Sequence, residues 1–85
     1  MKNNRDQQFG SVKAASKIGI STERLRYWER RGIVKPTYIQ AGTRKFRRFS
    51  FQDIKRAKFV RELVDKEKYT LEGAMIKLTG EMGFN

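Results

Sequence analysis

Two short segments with helical periodicity, separated by a three-residue turn that contains one glycine, constrain the fold of this chain most strongly. In residues 11–18, apolar side chains recur at spacings of three and four, and Ser11 is the expected N-cap. Gly19 then ends this helix. Ser21 is the expected N-cap of a second helix over residues 22–31. Two short helices joined by a tight turn that contains glycine form a helix-turn-helix unit.

The second helix has an apolar side and a polar side. Leu25 and Trp28 are three residues apart, so both are predicted to face the core. The alternative, that Trp28 is an exposed stacking platform, fits this spacing less well. The remaining side is rich in hydrogen-bond donors and is predicted to face solvent with Thr22, Glu23, Arg26, Tyr27 and Arg30.

A basic β-hairpin is predicted after the second helix. Residues 37–40 (TYIQ) favour a strand, residues 41–43 (AGT) supply a turn, and residues 44–49 (RKFRRF) return as the second strand. Phe46 and Phe49 are an odd number of residues apart, so we expect one to pack inward and the other to be partly exposed, unless a bulge intervenes. The tip and second strand carry the cations Arg44, Lys45, Arg47 and Arg48.

Two longer amphipathic segments complete the domain. Residues 50–53 (SFQD) resemble a capping box at the start of the third helix, and Thr70 is the expected N-cap of a fourth helix that Gly80 ends. The predicted fold is mainly α: a winged helix-turn-helix with four helices, at about 11–18, 22–31, 51–66 and 70–79, and a two-stranded wing at about 37–49. Residues 1–10 are predicted to form a flexible N-terminal arm, residues 11–79 the domain, and residues 80–85 a C-terminal tail.

The charge distribution indicates a polyanionic partner. The 85 residues include 20 basic and 9 acidic side chains, for a formal net charge of +11. Residues 21–61 contain most of this excess, because thirteen of their side chains are basic and three are acidic. A basic cluster in the middle of a small domain is typical of nucleic-acid binding.

Composition argues against an enzyme. The chain has no cysteine and no histidine, which excludes disulfides, thiolate nucleophiles, imidazole bases and the usual zinc sites. It also lacks a glycine-rich phosphate loop. We therefore expect no catalytic activity, no metal and no cofactor. Apolar runs are only a few residues long and no signal peptide is visible, so a cytoplasmic protein without a membrane partner is expected.

Several linked motifs resemble the N-terminal domain of MerR-family transcription regulators. They are residues 20–34 (ISTERLRYWERRGIV), Pro36 before a basic hairpin, residues 47–54 (RRFSFQDI) and residues 69–74 (YTLEGA). The similarity extends from about Ser11 to Leu78, and the motifs follow one another in the same order as in the family. The helix-turn-helix pattern alone would be far less specific.

The resemblance implies a sequence-specific regulator of transcription whose second helix enters the major groove of DNA while its wing grips phosphates. Carried over to this sequence, it implies that Arg24, Arg26 and Tyr27 face DNA and that Arg47 is the wing arginine. Double-stranded DNA is the implied partner, with RNA polymerase as a second candidate, and the protein would be associated with the bacterial nucleoid.

Two alternatives and one question of assembly stay open at this stage. A small winged-helix adaptor for recombination or DNA packaging would dock a protein partner, and an RNA-binding protein would need aromatic residues paired on a sheet. MerR-family regulators usually continue into a long coiled-coil helix, whereas here Gly80 and Gly83 follow Leu78 closely. We expect a monomer from the chain as given, and a homodimer if a longer natural chain carries that helix.

Overall fold

The computed structural model describes residues 7–82, with side chains through residue 80. Its elements in chain order are β1 (Gln8–Phe9), α1 (Ser11–Ile18), α2 (Thr22–Arg30), β2 (Thr37–Ala41), β3 (Arg44–Ser50), α3 (Phe51–Arg61), a π-helical turn (Glu62–Lys66) and α4 (Leu71–Met82). The predicted winged helix-turn-helix, with four helices and a hairpin wing, is confirmed.

The helix-turn-helix unit forms as predicted, with one correction at its start. Gly10, and not Ser11, is the N-cap of α1, and no side chain caps this helix. Gly19 has a φ of 91°, in the left-handed region that glycine adopts without steric cost, which allows the chain to turn sharply. Ser21 caps α2 as predicted, because its hydroxyl accepts a hydrogen bond from the Arg24 amide at 3.1 Å.

The core lies where α1, α2, α3 and the end of β3 meet. Trp28 and Phe49 are its largest fully buried side chains, and Leu25 is buried beside them. The prediction that Leu25 and Trp28 face inward is therefore confirmed. Because these two side chains fix the rotation of α2, its polar side points away from the domain.

The wing is a regular antiparallel hairpin. Ile39 pairs with Phe46, the register is continuous without a bulge, and Gly42 at φ 63° begins a two-residue turn. Phe49 is fully buried, whereas Phe46 is 43% exposed. The expectation that one phenylalanine packs inward and the other faces solvent is confirmed.

A third strand was not predicted from the sequence. In β1, Gln8 pairs with Ser50 and Phe9 pairs with Phe49, so the sheet order is β1-β3-β2. Phe9 is 8% exposed and belongs to the core. Gln8 and Phe9 are thus not part of a flexible arm, because pairing with β3 holds them; residues 1–6 of that predicted arm lie outside the described range.

A buried carboxylate ties the start of α3 to the segment that enters the wing. The Asp53 side chain is 2% exposed and accepts hydrogen bonds from the Ser50 amide at 2.9 Å, the Lys35 amide at 2.8 Å and the Arg56 guanidinium at 2.6 Å. The Ser50 hydroxyl in turn accepts from the Asp53 amide at 3.0 Å, which completes the predicted capping box. Asp53 therefore fixes where the wing leaves the domain.

The third helix differs from its prediction near its C-terminal end. The sequence favoured one helix over residues 51–66, but α-helical geometry ends at Arg61 and the next five residues form the π-helical turn. The Glu67 amide bonds to the Glu62 carbonyl at 3.3 Å, five residues earlier. The wider turn lets Leu63 be buried in the core while Val64 packs at its edge.

The fourth helix is longer than predicted. The Thr70 hydroxyl accepts a hydrogen bond from the Gly73 amide at 3.0 Å, which supports its predicted capping role. Ala74 and Leu78 are buried against the core as expected. Gly80 does not end α4, however, since the helix continues to Met82; glycine costs a helix only about 1 kcal/mol relative to alanine. The predicted tail is thus helical at residues 80–82, and residues 83–85 lie outside the described range.

Lys68 offers a test of the connection between the π-helical turn and α4. It has a φ of 61°, a left-handed conformation that costs a non-glycine residue roughly 1–2 kcal/mol. We expect Lys68→Gly to raise the free energy of unfolding by about 0.5–1 kcal/mol, because the relief of strain exceeds the entropy that glycine adds to the unfolded chain. Thermal denaturation measures this, with Lys66→Gly, placed inside the π-helical turn, as a destabilised control. A lower melting temperature for Lys68→Gly would contradict this explanation.

Candidate nucleic-acid interface

The outward side of α2 carries the polar side chains that the sequence predicted to face solvent on this helix. Because Leu25 and Trp28 are buried, the residues on the opposite side of the helix face solvent, and all of them are exposed: Thr22, Glu23, Arg26, Tyr27 and Arg30. Within the described residues, the Arg26 side chain makes no hydrogen bond or ion pair. Its five N–H donors are therefore available to a ligand.

Aromatic contacts order part of this surface. The Arg30 guanidinium lies 5.7 Å from the centre of the Tyr27 ring. The Tyr27 hydroxyl accepts a hydrogen bond from Arg31 at 3.3 Å, and Arg31 also contacts Glu72 of α4 at 3.6 Å. Tyr27 is thus held by its neighbours on α2 while 42% of it stays exposed.

One flank of α2 is joined to the wing by a shared carboxylate, and we call this group the wing clamp: Glu29, Tyr38 and Arg47. Glu29 accepts hydrogen bonds from Arg47 Nε at 2.7 Å and from the Tyr38 hydroxyl at 2.6 Å. The Arg47 guanidinium also lies over the Tyr38 ring, 5.5 Å from its centre. The hydrogen bonds to Glu29 raise the pKa of both Tyr38 and Arg47 above their usual values. The wing clamp therefore fixes the wing relative to α2.

The other flank of α2 is joined to the π-helical turn. Arg24 binds the Asp65 carboxylate with two hydrogen bonds, at 2.8 and 3.3 Å, and its guanidinium stacks 4.8 Å from the centre of the Trp28 ring. The hydrogen bond from Arg24 holds the pKa of Asp65 below its usual value. This pair thus stabilises the fold above the ordinary aspartate pKa, and that contribution is lost as the pH falls through the lowered value.

The four predicted wing cations occupy different positions. Arg44 and Lys45 are exposed next to the turn, and Arg44 stacks 5.3 Å from the centre of the Phe46 ring. Arg47 belongs to the wing clamp, and its side chain is 25% exposed. Arg48 is half-buried. Because successive side chains of a strand point to opposite faces, Arg48 lies on the face of the hairpin opposite to that of Arg47.

Apart from Arg48, which lies half-buried on the opposite face of the hairpin, the predicted site residues fall into two groups. Thr22, Glu23, Arg26, Tyr27 and Arg30 share one exposed surface, with Arg44 and Lys45 on the projecting wing. Arg24 and Arg47, in contrast, each bind a carboxylate within the domain. Both were predicted to contact DNA, Arg24 from α2 and Arg47 from the wing.

Three residues that organise this surface were not identified from the sequence: Glu29, Tyr38 and Asp65. Their partners lie 9 to 41 residues away along the chain. Helical or strand periodicity relates only residues close in sequence, so it could not identify these pairs. One signal was present, however. Only three acidic side chains lie among the thirteen basic side chains of residues 21–61, and such carboxylates, Glu29 among them, commonly pair with arginine in a folded chain.

The sequence profile of the MerR HTH family of regulatory proteins matches residues 11–81 of the 85. The chain belongs to the MerR HTH family. The match begins at the first residue of α1 and ends within α4, so it covers the helix-turn-helix, the wing and both later helices. No curated protein matches the sequence.

Membership in the MerR HTH family makes the chain a DNA-binding regulator of transcription by class. The outward surface of α2 and the adjoining wing are the parts of this domain whose charge suits that role. No helix in residues 7–82 is long and apolar enough to cross a membrane.

Proposed function

We propose that this MerR-family domain binds double-stranded DNA sequence-specifically, with α2 in the major groove and the wing on the phosphate backbone. One observation carries the proposal: α2 presents Arg26, Tyr27 and Arg30 outward, while the carboxylates on its flanks are occupied by arginines of the same domain. An α-helix about 10–12 Å across fits a major groove about 12 Å wide.

Two exposed side chains and the first turn of α2 suit different contacts with DNA. Arg26 has donors available to pair with the O6 and N7 atoms of guanine, and the Glu23 carboxylate can accept a hydrogen bond from the amino group of cytosine. Ser21 caps the helix, and its first turn points backbone amides toward an approaching phosphate. Arg26 is therefore assigned to base reading and Glu23 to a second, weaker preference.

Binding to nucleic acids of one sequence but different form tests this proposal. We expect duplex DNA to bind more tightly than the matching single strand or RNA duplex, and affinity to fall steeply between low and moderate salt as phosphate contacts are lost. Equal or tighter binding to RNA, or affinity that does not depend on salt, would contradict the proposal.

Arg47 is expected to contribute to affinity and not to specificity. Its Nε holds Glu29, which leaves the two terminal nitrogens of the guanidinium for a phosphate. Arg47→Ala should weaken binding to all duplexes by a similar factor and flatten the log-log salt slope by about one unit. Glu29→Gln is the matched control, since it weakens the wing clamp but keeps the cation. A changed base preference with an intact slope would show that Arg47 does not contact phosphate.

We expect the 85-residue chain to be a monomer in the absence of DNA. Its net charge of +11 opposes self-association. Sedimentation at tens of micromolar, with and without an inverted-repeat duplex, measures the assembly state. A stable dimer without DNA would contradict this expectation.

We propose RNA polymerase as a second partner, because a regulator of transcription at the nucleoid would act close to it.

One surface favours the alternative role of a protein-docking adaptor. Val12 (76% exposed) and Phe46 line a shallow groove of about 230 Å³, Ile39 pairs with Phe46 on the wing, and Arg48 borders the groove. Apolar side chains with a cationic rim would suit an acidic, partly apolar peptide. Selection from a displayed peptide library tests this role. Enriched acidic peptides that lose binding to a Phe46→Ser variant would support it, and no Phe46-dependent enrichment would exclude it.

A further inference from the structure

The Arg24–Asp65 pair binds a cation of α2, the helix proposed to enter DNA, to a carboxylate of the π-helical turn. Arg24 lies in the first turn of α2, the part of such a helix that approaches base edges and the groove wall. Both of its terminal nitrogens are bound by Asp65. The side chain is nevertheless 33% exposed, so the guanidinium lies at the surface.

A second arginine contacts the same carboxylate at a longer distance. Arg61 lies 3.6 Å from Asp65, and its guanidinium packs against Gly19 in the turn between α1 and α2. Its Nε is buried and has no hydrogen-bond partner among the described residues. Of the two arginines, Arg24 makes the closer contact with Asp65, and Arg24 is the one that lies on α2.

We propose that Asp65 is a positioning residue that lowers affinity for DNA by withholding Arg24 from the phosphate backbone. A phosphate beside α2 must compete with Asp65 for the Arg24 guanidinium, and the carboxylate also repels that phosphate. Without the carboxylate, Arg24 gains a phosphate contact. The inference rests on the proposed DNA binding and adds a residue outside α2 and the wing that sets its strength.

The direction of the expected effect separates this role from a structural one. Asp65→Asn should bind a short mixed-sequence DNA duplex about three- to fivefold more tightly at low salt, the range of one exposed ion pair. The log-log salt slope should steepen by about one unit, because one more phosphate is neutralised. Damage to the fold would weaken binding and could not steepen the slope.

Two further variants assign the effect to Arg24. In an Arg24→Ala background, Asp65→Asn should leave affinity nearly unchanged, since no cation remains to be released. Glu67→Gln is the matched control for charge. Glu67 is exposed two residues after Asp65, so this substitution removes the same formal charge without removing a contact to Arg24. Its effect should be clearly smaller than that of Asp65→Asn.

Arg24→Lys provides a test that leaves Asp65 in place. Lysine keeps the charge but cannot form the two-pronged bond, so it should also bind duplex more tightly than the unmodified protein. The inference is overturned if Asp65→Asn melts normally and binds no tighter, or if its gain persists in the Arg24→Ala background. If the unmodified protein does not bind duplex DNA at all, the proposed function fails instead, and the two failures are distinct.

Discussion

Arg26→Ala should remove most of the preference for one DNA sequence while leaving the fold intact. Arg26 is exposed on the outward side of α2, and within the described residues its side chain makes no hydrogen bond or ion pair, so its loss breaks neither. A two-pronged contact between arginine and guanine contributes about 1–3 kcal/mol of discrimination between bases. We therefore expect affinity for the best site to fall roughly 5- to 150-fold.

The measurement compares the preferred duplex with one changed at its guanines. The unmodified protein should discriminate between them, and the Arg26→Ala variant should bind both almost equally. Lys58→Ala is the control, because Lys58 is an exposed cation on α3 whose removal changes the charge equally. If Lys58→Ala and Arg26→Ala had the same effect, Arg26 would contribute only charge.

Asp53→Ala should have the largest effect on stability. Its carboxylate is buried and binds two backbone amides, a hydroxyl and the Arg56 guanidinium. Removing one partner of a buried ion pair typically costs 3–5 kcal/mol, because the remaining charge is left without compensation. Since domains of this size have little stability to spare, we expect the variant to be largely unfolded at 37 °C.

Chemical denaturation with urea tests this expectation. Asp65→Ala is the matched control, since it also removes an aspartate bound to arginine, but from a pair that is about one-third exposed. Exposed pairs contribute at most about 1 kcal/mol. If both variants lost stability equally, the hydrogen bonds of Asp53 would not hold the wing and α3 together as described.

Local sequence patterns predicted most of the fold, because helical spacing, β-forming residues and turn residues depend on neighbours that are close in sequence. The spacing of Leu25 and Trp28 placed α2, and the β-formers on each side of Gly42 placed the wing. β1 was missed because two residues carry no periodicity, and only pairing with Phe49 and Ser50 makes them a strand. The π-helical turn was missed for a similar reason, since core packing around Leu63 decides its geometry.

The candidate site also has a part that local sequence patterns predicted and a part that they did not. Helical spacing correctly placed Arg26, Tyr27 and Arg30 on one exposed face of α2. It could not show that Arg24 is bound to Asp65, because the two residues are 41 positions apart in sequence and lie on different elements. Long-range ion pairs of this kind depend on the assembled fold, so they appear only once the tertiary structure is known.

Selection of bound sites from a random duplex library tests the central claim most directly. If α2 reads bases in the major groove, the unmodified protein should enrich a short motif that contains guanine, and Arg26→Ala should lose that guanine while Arg47→Ala keeps it. Binding without any enriched motif, or a motif that Arg26→Ala leaves unchanged, would contradict the assignment of α2 as the reading helix.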